Sequence, residues 1–400
     1  MIAPETQKVM DALREGGGDA RFVGGCVRNA LSNRKVLDID IATPLVPEEV
    51  MARLTRHKIP YVPTGLKHGT VTAIVDGHPF EITTLRLDVA TFGRHAEVKF
   101  TDDWAADASR RDFTINAMFC TPEGQIFDPF GGVKDLRLGR VRFVGDAGQR
   151  IQEDVLRILR FFRFYAHFGK GEPDAAAIAA CTTAAPEISK LSAERIRQEV
   201  LKLLESDHCP AVWQLMFRCG IAQDVLPAAT RVTFLENLVN LEAEHHSPAF
   251  PLRRLAAVLD VGLCQVEKAS QALRLSNDQV AQLRDMMNPP AEVSVEMAEA
   301  TVRRYTYTLG NDTMRNLLLL SAARSSRKGN LDQLYHVATT FRAPRFPLTG
   351  ADVLNLGYTP GPEVGRVLAG IESWWIDQDF SPGRTECLQK LSGEFPRKPR

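Results

Sequence analysis

Between residues 37 and 43 the chain reads Leu-Asp-Ile-Asp-Ile-Ala-Thr, apolar and acidic residues alternating at its core. A strand sorts such a run, because its side chains point to opposite faces with a period of two. Leu37, Ile39 and Ile41 are therefore expected on one face, entering a core, with Asp38 and Asp40 on the other, their carboxylates close together. Like charges side by side repel, and burial makes this worse. A divalent cation between them resolves the conflict. Carboxylate oxygens suit Mg²⁺, which takes one or two protein carboxylates plus substrate phosphate oxygens.

An isolated Asp-x-Asp is most often a half-exposed edge strand with solvated acids. The residues ahead of this one shift the balance. Gly24-Gly25 follows the apolar Phe22-Val23 and precedes Val27-Arg28. A glycine pair ending a strand lets backbone N–H groups approach an anion, and an arginine fork suits phosphate oxygens. A phosphate cradle followed by paired carboxylates on a neighbouring strand is the apparatus of nucleotidyl transfer.

Around this core the pattern predicts a helix over 3–16, a strand at Arg21–Val23, a helix start at Val27–Asn33 and a helix over 47–57 opened by Pro47. Two strands, Val71–Val75 and Pro79–Leu85, flank a turn at Asp76-Gly77. Glu81, on the second, either completes a three-carboxylate site or is an exposed strand residue; both readings stay open. Residues 87–108 read as a long loop near the site, with His95 on its surface. In Arg110-Arg111-Asp112-Phe113-Thr114-Ile115-Asn116, Arg111 suits phosphate or a ribose-facing acid, and Asp112 and Asn116 are spaced to share a helical face and meet a ribose hydroxyl. A helix start with a surface ion pair is the plainer reading.

Asp128-Pro129-Phe130-Gly131-Gly132 reads as a turn and hinge. One continuous helix is expected over Gln149–Phe168, with Val155, Leu156, Leu159, Phe161 and Phe162 inward. Asp154, Arg157, Arg160 and Arg163 recur every three residues on it: a salt-bridged solvated face, or an acid and an arginine held rigidly for a base edge. Ser192 is a plausible cap of the next helix. Residues 205–345 are helical by pattern and hold no catalytic constellation. Trp374-Trp375 reads as core, and the tail Arg397-Lys398-Pro399-Arg400 as unstructured, touching RNA phosphates weakly.

Four hundred residues suggest two to four domains. No apolar run approaches the ~20 residues of a membrane span, and no basic segment followed by an apolar stretch opens the chain, so a cytoplasmic protein is expected. Seven dispersed cysteines without a Cys-x-x-Cys pair argue for reduced thiols. With 49 basic and 49 acidic residues the chain is no polycation, so nucleic acid must meet a local basic surface.

Taken in order, Gly24-Gly25-Cys26-Val27-Arg28, Asp38-Ile39-Asp40, Arg110–Ala117, Glu153-Asp154-Val155-Leu156-Arg157 and Glu194-Arg195-Ile196 resemble the bacterial class II tRNA nucleotidyltransferases (CCA-adding enzymes) and the related poly(A) polymerases. The likeness is strong over roughly residues 20–200, and Gly357–Gly365 resembles the family's tail. It implies an α+β fold: a polymerase-β-type nucleotidyltransferase head (a small mixed sheet with helices) over 1–140, then an all-α neck (141–230), body (231–345) and tail (346–400). It implies that Asp38 and Asp40 hold Mg²⁺, that Gly25 and Arg28 hold the triphosphate, and that Arg111 and Asp112 sit at ribose and phosphates. Asp154 and Arg157 would read the base of CTP or ATP, with Arg160 and Arg163 helping to hold the nucleotide. The tail would grip the outer part of a tRNA. The family usually has Asp where this chain has Asn29. The His-Asp pair of a phosphohydrolase domain found in some relatives is not seen. Rival readings are a poly(A) polymerase, an enzyme adding only CC or only A, a non-catalytic RNA-binding relative and a transferase acting on a small molecule.

Overall fold

The computed structural model describes residues 3–92, 95–259, 262–325 and 329–395. The chain divides into two compact units, Met1–Ala229 with Ala269–Leu275, and Thr230–Lys268 with Ser276–Arg400.

The first unit is built on a mixed sheet of strands β1 (Arg21–Val23), β2 (Ile39–Thr43), β3 (Tyr61–Gly65), β4 (Thr70–Val75) and β5 (His78–Thr84), completed after a ribbon of β6 (Arg86–Phe92) and β7 (His95–Phe100) by β8 (Phe119–Cys120) and β9 (Ile126–Phe127). The order across the sheet is β3-β4-β5-β2-β1-β8-β9. β2 pairs with β5 in parallel and with β1 antiparallel. The β4–β5 turn places Asp76 and Gly77 both at positive φ (49° and 79°), the backbone that suits a tight hairpin. β3 was not anticipated.

Helices α1 (Pro4–Arg14), α2 (Gly25–Leu31) and α3 (Pro47–Arg56) cover one sheet face. Proline opens α1 and α3, where its missing N–H costs nothing, and acids follow in each first turn. Val9 and Leu13, Val27, Val50 and Leu54 pack there on Phe22, Ile41, Val71 and Ile82. Burial of each such side chain contributes about 1.5–3 kcal/mol. The period of two sends their neighbours Val23 and Ala42 to the opposite face, against Leu85, Ala117 and Phe119. Asp40, two residues before Ala42, shares that second face.

Two sequence expectations fail beside the acidic strand. β2 begins at Ile39, and Leu37, expected in the core, is 75% exposed. Alternation fixes a face only where a neighbouring strand is paired, and pairing of β2 with β5 starts at Ile39. Residues 87–108 are not a structureless loop: they carry most of the β6–β7 ribbon and α4 (Trp104–Ser109), capped by Asp103, which accepts from the N–H groups of Ala105 and Ala106. Gly93 and Arg94, at the centre of the expected loop, lie outside the described residues.

Next come α5 (Gly132–Leu138), α6 (Ala147–Glu153), α7 (Arg157–Phe168), α8 (Ala175–Ala184) and α9 (Ala193–Leu204). Asp128 accepts from the N–H groups of Gly132 and Val133 and so caps α5. The single helix expected over Gln149–Phe168 is broken: α6 ends at Glu153, and Asp154 is extended (φ −153°, ψ 106°) before α7 begins. Ser192 stands at the N-cap of α9 but makes no capping bond.

The second unit is helical. Glu242 is buried between Arg253 and Arg254. A separate apolar cluster joins Leu348, Val353, Tyr358, Val367, Ile371, Trp375 and Leu391. Trp375 is core, as expected, whereas residues 396–400, with the basic tail, lie outside the described residues. Among the described residues no helix is long and apolar enough to cross a membrane.

Candidate active site

Gly24 closes β1 at φ 70° and ψ −119°, a backbone that L side chains rarely adopt, and its N–H donates to the Met118 carbonyl at 3.2 Å. This turn opens α2, so the helix N-terminus and Gly25 face a cavity of about 610 Å³. Gly25, Arg28, Asp40, Arg111, Asp112, Asp154, Arg157, Arg160 and Arg163 all line it. Of the acids the sequence offered for a metal, Asp38 and Glu81 are not in its lining, and Asp38 stands apart from the strand. It is exposed, immediately ahead of β2, and close enough that its charge acts on Asp40.

Asp40 is half-buried, and its register partner on β5 is Glu81. Burial, then repulsion from Glu81 and Asp38, pushes its carboxyl up to about 6, with Arg111 acting in the opposite sense. Hard oxygen donors at this point fit a divalent ion such as Mg²⁺. Among the described residues no three His, Cys, Asp or Glu side chains form a ready cage. The donor set therefore suits an ion completed by substrate oxygens and water.

The opposite wall is basic and internally paired. Asp112, buried, accepts from its neighbour Phe113 N–H at 2.9 Å, from Asn116 Nδ2 at 3.0 Å and from Arg160 Nε at 2.7 Å. Burial alone would raise its carboxyl, yet Arg160 and Asn116 hold it below the ordinary value. Asp112 and Asn116 do meet, but across a 3₁₀ turn at Thr114–Asn116 rather than along an α-helix. Arg163 Nε lies 2.9 Å from Glu199 on α9. Arg28 Nη1 donates to Asn116 Oδ1 at 2.5 Å, and its Nη2 to Asn29 Oδ1 at 2.9 Å. Its guanidinium also stacks over Phe164 and Phe168 at 4.9 and 4.6 Å. Burial and the charge of Arg163 bring Arg28 down to about 10, so it stays protonated at neutral pH.

Asp154 sits in the break between α6 and α7, not on a helix. Its Oδ1 accepts from Leu156 N–H at 3.2 Å and its Oδ2 pairs with Arg195 at 2.7 Å. These two bonds hold the extended conformation that interrupts the helix. Arg157 pairs with Glu153 at 2.5 Å, as the i,i+4 spacing predicts, and also reaches the carbonyls of Arg150 (2.8 Å) and Arg110 (3.2 Å).

Sequence reasoning missed Asp107. It is 1% exposed on α4 and pairs with both Arg110 and Arg111, at 2.6 and 2.9 Å. Its Oδ1 also accepts from the Arg86 N–H at the root of the β6–β7 ribbon. The spacing Asp107, Arg110, Arg111 (i, i+3, i+4) was the available signal. Glu199 and Phe164 drew no reading from the sequence, and Arg195 entered only through the motif Glu194-Arg195-Ile196.

Residues 20–142 match the family described as "Poly A polymerase head domain", and residues 172–232 match "Probable RNA and SrmB- binding site of polymerase A". A relative from Danio rerio, "CCA tRNA nucleotidyltransferase 1, mitochondrial", is 37% identical over 391 residues, covering 94% of this chain and 87% of its own. This chain belongs to the CCA tRNA nucleotidyltransferases. A second CCA-adding enzyme, from Leuconostoc citreum, is 29% identical and covers 98% and 96% of the two chains. The solved CCA-adding enzyme of Bacillus stearothermophilus in complex with CTP is similar at a TM-score of 0.75 and 27% identity, over 98% of each chain. For a CCA tRNA nucleotidyltransferase the α+β head and the all-α remainder are the expected architecture, and the cavity described here lies in the unit that contains that head.

Proposed function

We propose that this chain adds C, C and A to tRNA 3′ ends from CTP and ATP, without a nucleic-acid template and with release of pyrophosphate. One observation carries the reading. The acidic β2 strand, the Gly24-Gly25 turn and the arginines of α7 share one cavity. Residues 1–140 would act as head, 141–230 as neck, 231–345 as body and 346–400 as tail, working in the cytoplasm.

In this reading the tRNA 3′-oxygen bonds to the α-phosphorus, and the bond to the β-phosphate oxygen breaks in line. Asp38 and Asp40 would hold divalent metal, Mg²⁺ by donor chemistry, which supplies charge stabilisation for the attacking and leaving oxygens. Gly25 N–H and Arg28 would bind the β- and γ-phosphates, with Arg160 and Arg163 beside them. Arg111 and Asp112 would hold ribose and phosphate. Cytosine and adenine each offer an exocyclic amine donor beside a ring acceptor. An Asp154 carboxylate that accepts and an Arg157 that donates fit both, and disfavour uracil and guanine. The 3.2 Å bond from Arg157 to the Arg110 carbonyl is the longest of its set and the one a base edge would replace.

Incubating the protein with tRNA lacking its CCA end separates the readings. Two additions with CTP alone, and three followed by a stop with CTP and ATP together, are expected. A stop after two with both nucleotides would make it a CC-adding enzyme, and a long run from ATP alone a poly(A) polymerase. No incorporation, with RNA still bound, would leave a non-catalytic RNA-binding relative.

A further inference from the structure

Behind the nucleotide cavity, in the same unit, lies a second one of about 420 Å³. Arg34, Arg137, Lys170, His167, His208 and the ring of Phe168 line it, and no Asp or Glu does. The two cavities are joined by helices that contribute to both. α2 presents Gly25 and Arg28 to the first and Leu31 to the second; α7 presents Arg157, Arg160 and Arg163 to the first and His167 and Phe168 to the second. Phe168 stacks under Arg28 at 4.6 Å and under Arg34 at 4.4 Å. The charge of Arg34 is felt at Arg28, so the positive field runs on from one cavity to the other.

A plainer explanation for basic residues here is helix capping, since α2, α5 and α7 all end at this cavity. Two facts limit it. Each helix C-terminus contributes at most roughly half a negative charge. Three such ends leave Arg34, Arg137 and Lys170 in excess by more than one full charge. Carbonyls in the last turns are also already met by backbone donors. Arg34 N–H goes to Asn29 O (2.9 Å), Arg140 N–H to Asp135 O (2.8 Å) and Gly169 N–H to Tyr165 O (2.8 Å). Arg34 Nη2 takes the His167 carbonyl at 2.5 Å. The exposed side chains of Arg137 and Lys170 make no hydrogen bond or ion pair among the described residues.

We propose that this basic cavity binds a backbone phosphate of the tRNA acceptor strand, away from the 3′ end that reacts in the neighbouring cavity. The inference rests on tRNA being the substrate. α2 spans about 10 Å at 1.5 Å per residue. A nucleotide whose triphosphate lies on the Gly24-Gly25 turn leaves the far end of that helix unoccupied. A polynucleotide repeats its phosphates along the chain and can meet both ends. Arg137 and Lys170 supply charge-assisted donors at that point.

The test is the double variant Arg137→Gln/Lys170→Gln in the full chain. Binding of tRNA lacking CCA is measured from 50 to 200 mM salt, beside the KM for CTP and inhibition by pyrophosphate. The expected result is a Kd for tRNA raised roughly three- to tenfold, with a salt slope shallower by about 1, and an unchanged KM for CTP. The charge-preserving pair Arg137→Lys/Lys170→Arg should bind like the native protein; equal loss there would overturn the electrostatic account. Superimposable tRNA curves for native protein and the Gln variant would overturn the proposal. So would a change confined to CTP or pyrophosphate, which would make this a free-phosphate pocket. A native protein that binds tRNA but elongates none would instead sink the catalytic reading and leave this one standing.

Discussion

On the β2 side of the candidate active-site cavity, Asp40 faces Glu81 and Asp38 with Arg111 as its nearby offsetting charge, and its carboxyl is driven up to about 6. On the α7 side, acids stand ready for the arginines: Asp112 for Arg160, Glu199 for Arg163, Glu153 for Arg157, and Asp154 for Arg195. One wall carries unresolved repulsion and the other is largely paired within itself, although Arg163 Nε and Glu199 Oε2, 2.9 Å apart, lack the geometry of a hydrogen bond. On the proposed function the difference is one of task. A catalytic carboxylate must keep its valence for a cation and a reacting phosphate, whereas a recognition surface must hold its donors in fixed directions. Mutation should therefore separate activity from stability along the line between the two walls.

The largest effect belongs to the acidic wall. Asp40→Asn should lower nucleotide incorporation about a thousandfold or more, roughly 4 kcal/mol of barrier, with tRNA binding nearly unchanged. Asp38→Ala should behave alike; parallel loss of binding and incorporation would assign both acids to folding. The opposite wall should respond in stability first. Asp112→Ala leaves Arg160 without its close acid and Asn116 Nδ2 without its acceptor in a buried site, and should cost about 3–5 kcal/mol in urea unfolding. A cost below 1 kcal/mol would mean that the arginine wall is not prepaired in solution.

The acidic wall also makes a pH prediction with a definite sign. Asp40 in the folded chain titrates near 6, above its ordinary 3.8. Between these values the native state holds a proton that the unfolded chain has released, so ionising Asp40 above pH 6 works against the fold. In metal-free buffer Asp40→Asn should be more stable than the native protein at pH 8, by up to about 3 kcal/mol. That gain should shrink through pH 6 and vanish near pH 4. Added Mg²⁺ should narrow it at pH 8. Thermal melts of both proteins across pH, with and without the ion, would show it; a constant difference at all pH values would deny that Asp40 is electrostatically strained.

What the sequence disclosed follows the same division. The alternation of Ile39, Asp40 and Ile41 was legible because burial on one face writes itself as a period of two, and the glycine pair because only Gly accepts the Gly24 backbone. The same alternation misled at Leu37, where the ladder has not yet begun. The helix break at Asp154 was hidden, since neither Pro nor Gly marks it. It is held by Arg195, 41 residues away along the chain, and by the Leu156 N–H. The ribbon of β6 and β7 was legible and missed: His95-Ala96-Glu97-Val98-Lys99-Phe100 alternates polar and apolar residues with the period of a strand. Asp107 lay in plain spacing, but its burial, which makes it matter, comes from tertiary packing.

Smaller effects concern how the basic wall lets go of its own acids to take a nucleotide. Arg157→Ala should lower the CTP-over-UTP ratio of kcat/KM about 10- to 100-fold, roughly 1.4–2.8 kcal/mol, while slowing CTP transfer less. Unchanged discrimination would confine Arg157 to bracing Glu153 and the Arg150 carbonyl. The smallest expected effect is at Asn29. Among the described residues Arg28 hydrogen-bonds only to the amide oxygens of Asn29 and Asn116, and no carboxylate there pairs with it directly. Asn29→Asp would supply one at the same place. A fixed carboxylate competes with incoming phosphate for the same guanidinium, so KM for CTP should rise about two- to fivefold, under about 1 kcal/mol, with kcat little changed. A fall in KM would reverse the argument: the aspartate would then be orienting Arg28 more than neutralising it, and the amide in this chain would be a weaker brace rather than a freer hand.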